Sequence, residues 1–177
     1  MKPNLLTTIR FISLFLVIAA DSTRFYYLAL TFLFFGFCTD YLDGLVARKY
    51  KKGSEIGIYY DHFVDKIFVH LLLVYYLSQN LLGFWVVALL ILRDYLALGF
   101  RQYALSQQTN IASVRSGKIK LVAQGMFLMF IALGRILPFP ATIVEKIGIV
   151  IVIWSFGSLV DMGWKNKAIL KRLWKEF

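Results

Sequence analysis

Six apolar stretches follow one another along this chain with only short polar connections between them. They are Leu5–Ala20, Phe25–Ala47, Gly57–Leu77, Leu81–Ala104, Lys118–Leu137 and Ala141–Gly163. A helix rising about 1.5 Å per residue needs about 20 residues to cross about 30 Å of hydrocarbon, and each stretch is near that length. Six of them in 177 residues leave almost nothing from which to build a soluble domain. Composition agrees: hydrophobic residues make up 59% and charged residues 17%, against roughly 45–50% and about 25% in soluble domains. The expected fold is an all-α integral membrane protein with six transmembrane helices. It is read as a single membrane-embedded domain over residues 1–177, with a basic amphipathic tail from about 164 to 177.

None of the six stretches runs for about 18 residues without a charge or a histidine, so the positions of the interruptions matter. With the amino terminus placed in the cytoplasm, Arg10 falls in the cytoplasmic half of the first span, and Asp40 and Asp43 close the second on that side. Asp61 and Asp65 open the third, Arg93, Asp94 and Arg101 close the fourth, Lys118 and Lys120 open the fifth, and Asp161 closes the sixth. The charges thus gather in one leaflet. Charges at membrane depth cost roughly 2.5–3.5 kcal/mol each on insertion scales and usually line a functional interior.

The connections give the same orientation. Arg48, Lys49, Lys51, Lys52, Arg115 and the tail's Lys165, Lys167, Lys171, Arg172 and Lys175 fall on one side, and only Arg24, Arg135 and Lys146 on the other. Basic loops stay cytoplasmic, so both termini are expected there. The location is then the cytoplasmic (inner) membrane, multi-pass, with the charged site facing the cytoplasm. The start resembles a secretory signal, with Lys2, Arg10, the run Phe11–Ile18 and Ala19-Ala20, but cleavage there would remove a well-placed span. The formal charge of +10 on so apolar a chain points to anionic membrane contact rather than nucleic acid. One cysteine, Cys38, and two histidines, His62 and His70, exclude an intramolecular disulfide, a cysteine-based zinc site and a histidine-rich one. His70 and Cys38 are read as packing residues. The aromatic runs Phe32–Phe37 and Tyr75-Tyr76 are read as lipid-facing or belt residues.

The chemistry concentrates in Asp40-Tyr41-Leu42-Asp43-Gly44-Leu45-Val46-Ala47-Arg48, then eight residues, then Gly57-Ile58-Tyr59-Tyr60-Asp61-His62-Phe63-Val64-Asp65. Asp40 and Asp43 are i,i+3 on one helix, and Asp61 and Asp65 are i,i+4 on the next, so each pair shares a face. A short connection makes the helices antiparallel neighbours. Four carboxylates gathered in a partly dry site must protonate or take up cations. Oxygen-only donors favour Mg²⁺ or Mn²⁺ over zinc. Two such ions are a recurrent device for substitution at phosphorus. Gly44 and Gly57 permit close approach of backbone and ligand, and Arg48 can grip a phosphate with its fork.

These residues resemble the signature of the CDP-alcohol phosphotransferases, D-x-x-D-G-x-x-A-R, eight residues, G-x-x-x-D-x-x-x-D, at every fixed position. The resemblance implies six transmembrane helices, a homodimer and a cytoplasm-facing site holding two divalent ions. It also implies displacement of CMP from a CDP-lipid by an alcohol. Carried over by position, Asp40, Asp43, Asp61 and Asp65 surround the metals, and Asp65 is the base for the attacking hydroxyl. Gly44, Ala47, Arg48 and Gly57 line the CDP-lipid site.

The second half of the chain bears on the acceptor alcohol. Arg93, Arg101, Arg115, Lys118 and Lys120 are more cations than an uncharged alcohol needs, so a phosphorylated acceptor is expected. Positive-inside topology and anionic-lipid contact account for part of the same charge, and Asp94 stands ready to neutralise Arg93. The opening Pro3-Asn4-Leu5-Leu6-Thr7-Thr8-Ile9-Arg10 and the series Arg93-Asp94, Arg101, Arg115-Ser116-Gly117-Lys118-Ile119-Lys120 and Gln124 are similar to the family's bacterial branch acting on CDP-diacylglycerol and glycerol 3-phosphate. The similarity runs from about residue 3 to 124. His62 stands where proline is usual, and Leu121 where threonine is usual. The implied reaction yields phosphatidylglycerol phosphate and CMP. Competing readings are the same chemistry with inositol phosphate, or with phosphatidylglycerol as in a cardiolipin synthase. A divalent-cation transporter is also possible by composition, but it should spread acidic groups through the bilayer depth.

Overall fold

The computed structural model describes the backbone of residues 3–50, 55–107, 115–137, 139–167 and 169. Among these it describes the side chains of 8–39, 64–107, 117, 119–137, 139–167 and 169. The described backbone forms six helices and no strand: α1 (Pro3–Ser22), α2 (Tyr26–Tyr50), α3 (Glu55–Ser78), α4 (Phe84–Ser106), α5 (Arg115–Gly134) and α6 (Ala141–Lys165). Most of the proposed basic tail lies outside the described residues.

Each expected span is met by one helix, with ends shifted where turn chemistry intervenes. α1 and α3 stop in the same way. Arg24 and Asn80 adopt left-handed backbone (φ 64° and 56°). The Phe25 N–H then reaches the Ala20 carbonyl (2.9 Å) and the Leu81 N–H the Tyr76 carbonyl (3.0 Å). Such Schellman closures satisfy the last carbonyls of a helix. At Leu81 the closure turns the chain away, so α4 starts at Phe84 behind Gly83 rather than at Leu81. α5 likewise ends at Gly134 rather than Leu137, because the Arg135 and Ile136 N–H groups reach back only three residues, to Ala132 and Leu133.

The chain forms two compact units, Met1–Leu81 with Gly125–Pro140, and Leu82–Gln124 with Ala141–Phe177. In the first unit α1 packs against α2 and α3. Two cross-links at nearly constant sequence offset show α1 and α3 running parallel: Arg10 with Asp65, and Asp21 with Tyr75. The buried apolar side chains of this unit include Leu14 and Val17 of α1, Leu33 of α2 and Phe68 and Leu72 of α3.

α2 closes on this pair through Gly36. A Cβ there would stand 2.6 Å from Phe68 Cζ and 3.1 Å from Ser13 Oγ. The Phe68 ring has little room to yield, since it is buried and makes an edge contact with Phe37 at 5.6 Å between centroids. Small residues at helix crossings of this kind permit close packing in membranes. Gly36→Ala is therefore expected to destabilise the protein by about 1–3 kcal/mol, read as a lower midpoint of thermal unfolding in detergent.

The far end of α1 carries a polar cluster. Asp21, 1% exposed, accepts the Tyr75 hydroxyl (2.7 Å) and Arg135 Nε (3.3 Å). The Arg135 guanidinium lies over the Tyr26 ring, 4.7 Å from its centroid. The expectation that Tyr75-Tyr76 form an interfacial belt is corrected here. Tyr76 is fully buried and Tyr75 serves a buried carboxylate, which needs donors once water is excluded. Of the run Phe32–Phe37, Phe34 and Phe35 are exposed as expected, whereas Leu33 is buried and Phe37 turns inward onto Phe68.

In the second unit α4 packs on α6. The buried positions of α4 (Val86, Val87, Leu90, Arg93, Ala97, Ala104) and of α6 (Val144, Gly148, Ile151, Val152, Ser155, Ser158, Met162) each follow the helical repeat, giving one stripe per helix. Arg93 meets Ser155 and Ser158, and Ala97 clusters with Met162, so these helices also run parallel. Among the described residues α6 is the one helix long and apolar enough to cross a membrane by length and composition. Tyr26–Thr39 and Ile119–Gly134 are shorter apolar segments. Charges interrupt the other five helices.

Candidate active site

The signature is carried by two consecutive helices. Positions 40, 43, 44, 47 and 48 lie in the last half of α2, and positions 57, 61 and 65 in the first half of α3. The helical spacing expected for each aspartate pair holds in the backbone. The side chains of Asp40, Asp43, Ala47, Arg48 and Asp61, and the surroundings of Gly44 and Gly57, lie outside the described residues. Among the described residues no group of three or more potential metal ligands is gathered.

Asp65 is described, and its partner was not foreseen. Its Oδ1 accepts Arg10 Nη1 from α1, with Arg10 2% exposed and the carboxylate side chain 25% exposed. Oδ2 has no hydrogen bond among the described residues. The Ser13 hydroxyl donates to the Arg10 carbonyl (2.7 Å) within the same turn of α1. A signal for this pairing exists in the sequence. An arginine inside an apolar helix needs a counter-charge, and Arg10 lies near the start of α1 while the aspartates of α3 lie near the start of a parallel helix. The donor set of the signature, carboxylate oxygens without thiol, fits a hard divalent cation.

The cations expected to hold an acceptor phosphate belong to the second unit, and the structure divides them. Arg93, 7% exposed, donates from Nε to the Ser155 carbonyl (2.9 Å), from Nη2 to Ser158 Oγ (2.5 Å) and from Nη1 to Asp94 Oδ1 (3.0 Å). The neutralising contact expected between Arg93 and Asp94 is thus present. Lys120, 3% exposed, donates to the same Asp94 oxygen at 2.5 Å from α5. Arg101 is exposed on α4. The Arg115 and Lys118 side chains lie outside the described residues. Ser155 and Ser158 were not foreseen as partners. Two serines one turn apart in an otherwise apolar span were the available signal, since buried hydroxyls need partners. Gln124 is buried one turn beyond Lys120, and its Nε2 has no partner among the described residues.

Comparison with known proteins places these features in context. The sequence profile of the CDP-alcohol phosphatidyltransferases matches residues 1–157. A CDP-diacylglycerol–glycerol-3-phosphate 3-phosphatidyltransferase of Pectobacterium atrosepticum is 30% identical over 139 residues, 72% of each chain. A protein of the same name from Sodalis glossinidius is 29% identical over 129 residues, covering 66% of this chain and 68% of the relative. One from Mycoplasma genitalium is 32% identical over 92 residues, 52% of this chain and 39% of the longer relative.

Proposed function

The chain belongs to the CDP-alcohol phosphatidyltransferase family, which is membrane-bound and generally uses divalent metal ions, and on that premise we propose that it transfers the phosphatidyl group of CDP-diacylglycerol to glycerol 3-phosphate. The products are phosphatidylglycerol phosphate and CMP, and the place in metabolism is phospholipid biosynthesis. The observation that carries this reading is the complete signature on two consecutive helices, within a chain aligned to relatives of that activity across the cation series as well.

Chemically, the free primary hydroxyl of glycerol 3-phosphate attacks the lipid-linked phosphorus. The new P–O bond forms as the bond to CMP breaks, CMP leaves with the electron pair, and the hydroxyl proton passes to a carboxylate. Asp65 is the proposed acceptor of that proton, and Arg10 holds it in place through Oδ1. Asp40, Asp43, Asp61 and Asp65 are the proposed ligands of two divalent ions, Mg²⁺ or Mn²⁺. Bound there, the ions would neutralise the phosphate oxygens and stabilise the leaving group. Gly44, Ala47, Arg48 and Gly57 line the CDP-lipid site, with the Arg48 fork on the diphosphate. Of the five cations expected there, Arg101, Arg115, Lys118 and Lys120 supply positive charge for the acceptor phosphate, and Arg93 stands behind them in its bonds to Ser155, Ser158 and Asp94.

We place the chain as a multi-pass protein of the cytoplasmic membrane, six-spanning, with both termini and the site on the cytoplasmic side and a homodimer as the working unit. It is read as a single membrane-embedded domain over residues 1–177, with a basic tail at the membrane surface. Its apolar surface supports the membrane. Besides the stripe against α4, α6 exposes Ile149, Val150, Ile153, Trp154 and Val160, and a helix apolar on every side belongs in a core or a bilayer. Phe15, Phe34, Phe35, Trp85 and Met126 are more than half exposed on other helices, more apolar surface than a soluble monomer carries.

An acceptor panel tests the assignment. Purified protein in mixed micelles with CDP-diacylglycerol and Mg²⁺ or Mn²⁺ should release CMP with glycerol 3-phosphate, and at least about tenfold less with inositol phosphate or phosphatidylglycerol. Preference for either of the latter would move the chain to another branch of the family.

A further inference from the structure

Among the cations assigned to the acceptor, Arg93 is committed elsewhere. Each of its three nitrogens makes a hydrogen bond inside the second unit, and the side chain is buried. Turning its fork onto a phosphate would leave the Ser158 hydroxyl and the Asp94 carboxylate without this donor, and unmade buried bonds are costly. Ser158 is itself oriented. Its hydroxyl donates to the Ser155 carbonyl (2.8 Å), so its lone pair is turned toward Arg93 Nη2.

The chain of contacts continues beyond Arg93. Asp94 Oδ1 accepts from Arg93 Nη1 and from Lys120 Nζ. Arg93 and Asp94 cancel in charge, so the net positive charge of the three side chains is that of Lys120. An ammonium group carries three donors on a freely turning stem. The bond to Asp94 fixes where the end of that stem, and with it the charge, is held.

We propose that Ser158, Arg93 and Asp94 are positioning residues that orient the Lys120 ammonium toward the phosphate of the acceptor, a relay from α6 through α4 to α5. The inference rests on the glycerol 3-phosphate reading above and specifies how that site is held. It accounts for the two serines in the most apolar helix of the chain and for a carboxylate set among cations meant for an anion.

Steady-state kinetics test it on the full-length protein. Ser158→Ala should raise KM for glycerol 3-phosphate by about three- to tenfold, the effect of one lost hydrogen bond. kcat should stay within about twofold, and KM for CDP-diacylglycerol should not change. Ser158→Thr, which keeps the hydroxyl, should restore the wild-type value. Asp94→Asn should raise the same KM by more than about tenfold. Each variant is compared by thermal melting in detergent, and Ser158→Cys carries the same prediction if Ser158→Ala is not recovered folded. Unchanged KM for glycerol 3-phosphate in both the serine and the aspartate variants would overturn the relay. So would an equal loss toward both substrates, which a purely structural role produces. A wild-type protein that releases no CMP in response to glycerol 3-phosphate would instead overturn the functional reading, and the relay with it.

Discussion

Asp61→Asn is expected to lower CMP release by about three orders of magnitude while leaving the melting temperature nearly unchanged. The amide has the shape of the carboxylate but no charge, and it offers one acceptor oxygen where the carboxylate offers two. A divalent ion stabilises charge at a reacting phosphate by several kcal/mol, and each 1.36 kcal/mol or so is worth tenfold in rate. Weakening one of four anionic ligands therefore shows mainly as lost turnover, recovered in part by raising the metal concentration. The helix itself has no reason to suffer, since asparagine and aspartate differ little in helix propensity. The measurement is CMP release against metal concentration, beside a melt of the same sample. Full activity in Asp61→Asn would remove the carboxylates from the mechanism.

Arg10→Met should behave differently, losing stability and turnover together. Arg10 is almost fully buried, and its Nη1 holds Asp65 across the α1–α3 contact. Removing one member of a buried pair costs about 3–5 kcal/mol. About 3 kcal/mol is expected here, because the Asp65 side chain keeps 25% exposure and water screens what remains. At this chain length 1 kcal/mol moves Tm by roughly 2–4 °C, so a drop of about 6–12 °C is expected in detergent. Arg10→Lys should recover part of the stability, since an ammonium restores the charge but not the planar fork. Turnover should fall in Arg10→Met because Asp65 loses the contact that sets its direction. A melt unchanged within about 1 °C would show that the pair contributes nothing to the fold.

These two residues also show what the sequence made legible. The six helices were readable because bilayer thickness sets a length scale that a run of Leu, Phe, Val and Ile either meets or does not. The ends moved at Leu81 and Leu137, where the turns at Asn80 and Arg135 depend on backbone closure rather than on hydropathy. The aspartate spacing was readable because helical periodicity converts i,i+3 and i,i+4 into a shared face. Arg10 with Asp65, Asp21 with Tyr75 and Arg135, and Arg93 with Ser155 and Ser158 were not, because each joins residues more than fifty positions apart that only tertiary packing brings together. In each case the sequence did hold half of the information, a charge within an apolar helix. Hydropathy reports that such a charge is costly, and only packing names the group that answers it. Tyr75-Tyr76 was misread for the same reason. Composition suits the pair to an interface, whereas the buried Asp21 carboxylate takes the Tyr75 hydroxyl and Tyr76 packs in the core.

The most direct measurement is the stoichiometry of the whole reaction. Purified full-length protein, CDP-diacylglycerol and glycerol 3-phosphate are combined in mixed micelles with Mg²⁺ or Mn²⁺, and CMP and lipid product are quantified in the same samples. The account predicts one phosphatidylglycerol phosphate for each CMP, and neither product when glycerol 3-phosphate is omitted or a chelator removes the metal. CMP released at the same rate without the acceptor, or a full rate of transfer in the presence of the chelator, would contradict it.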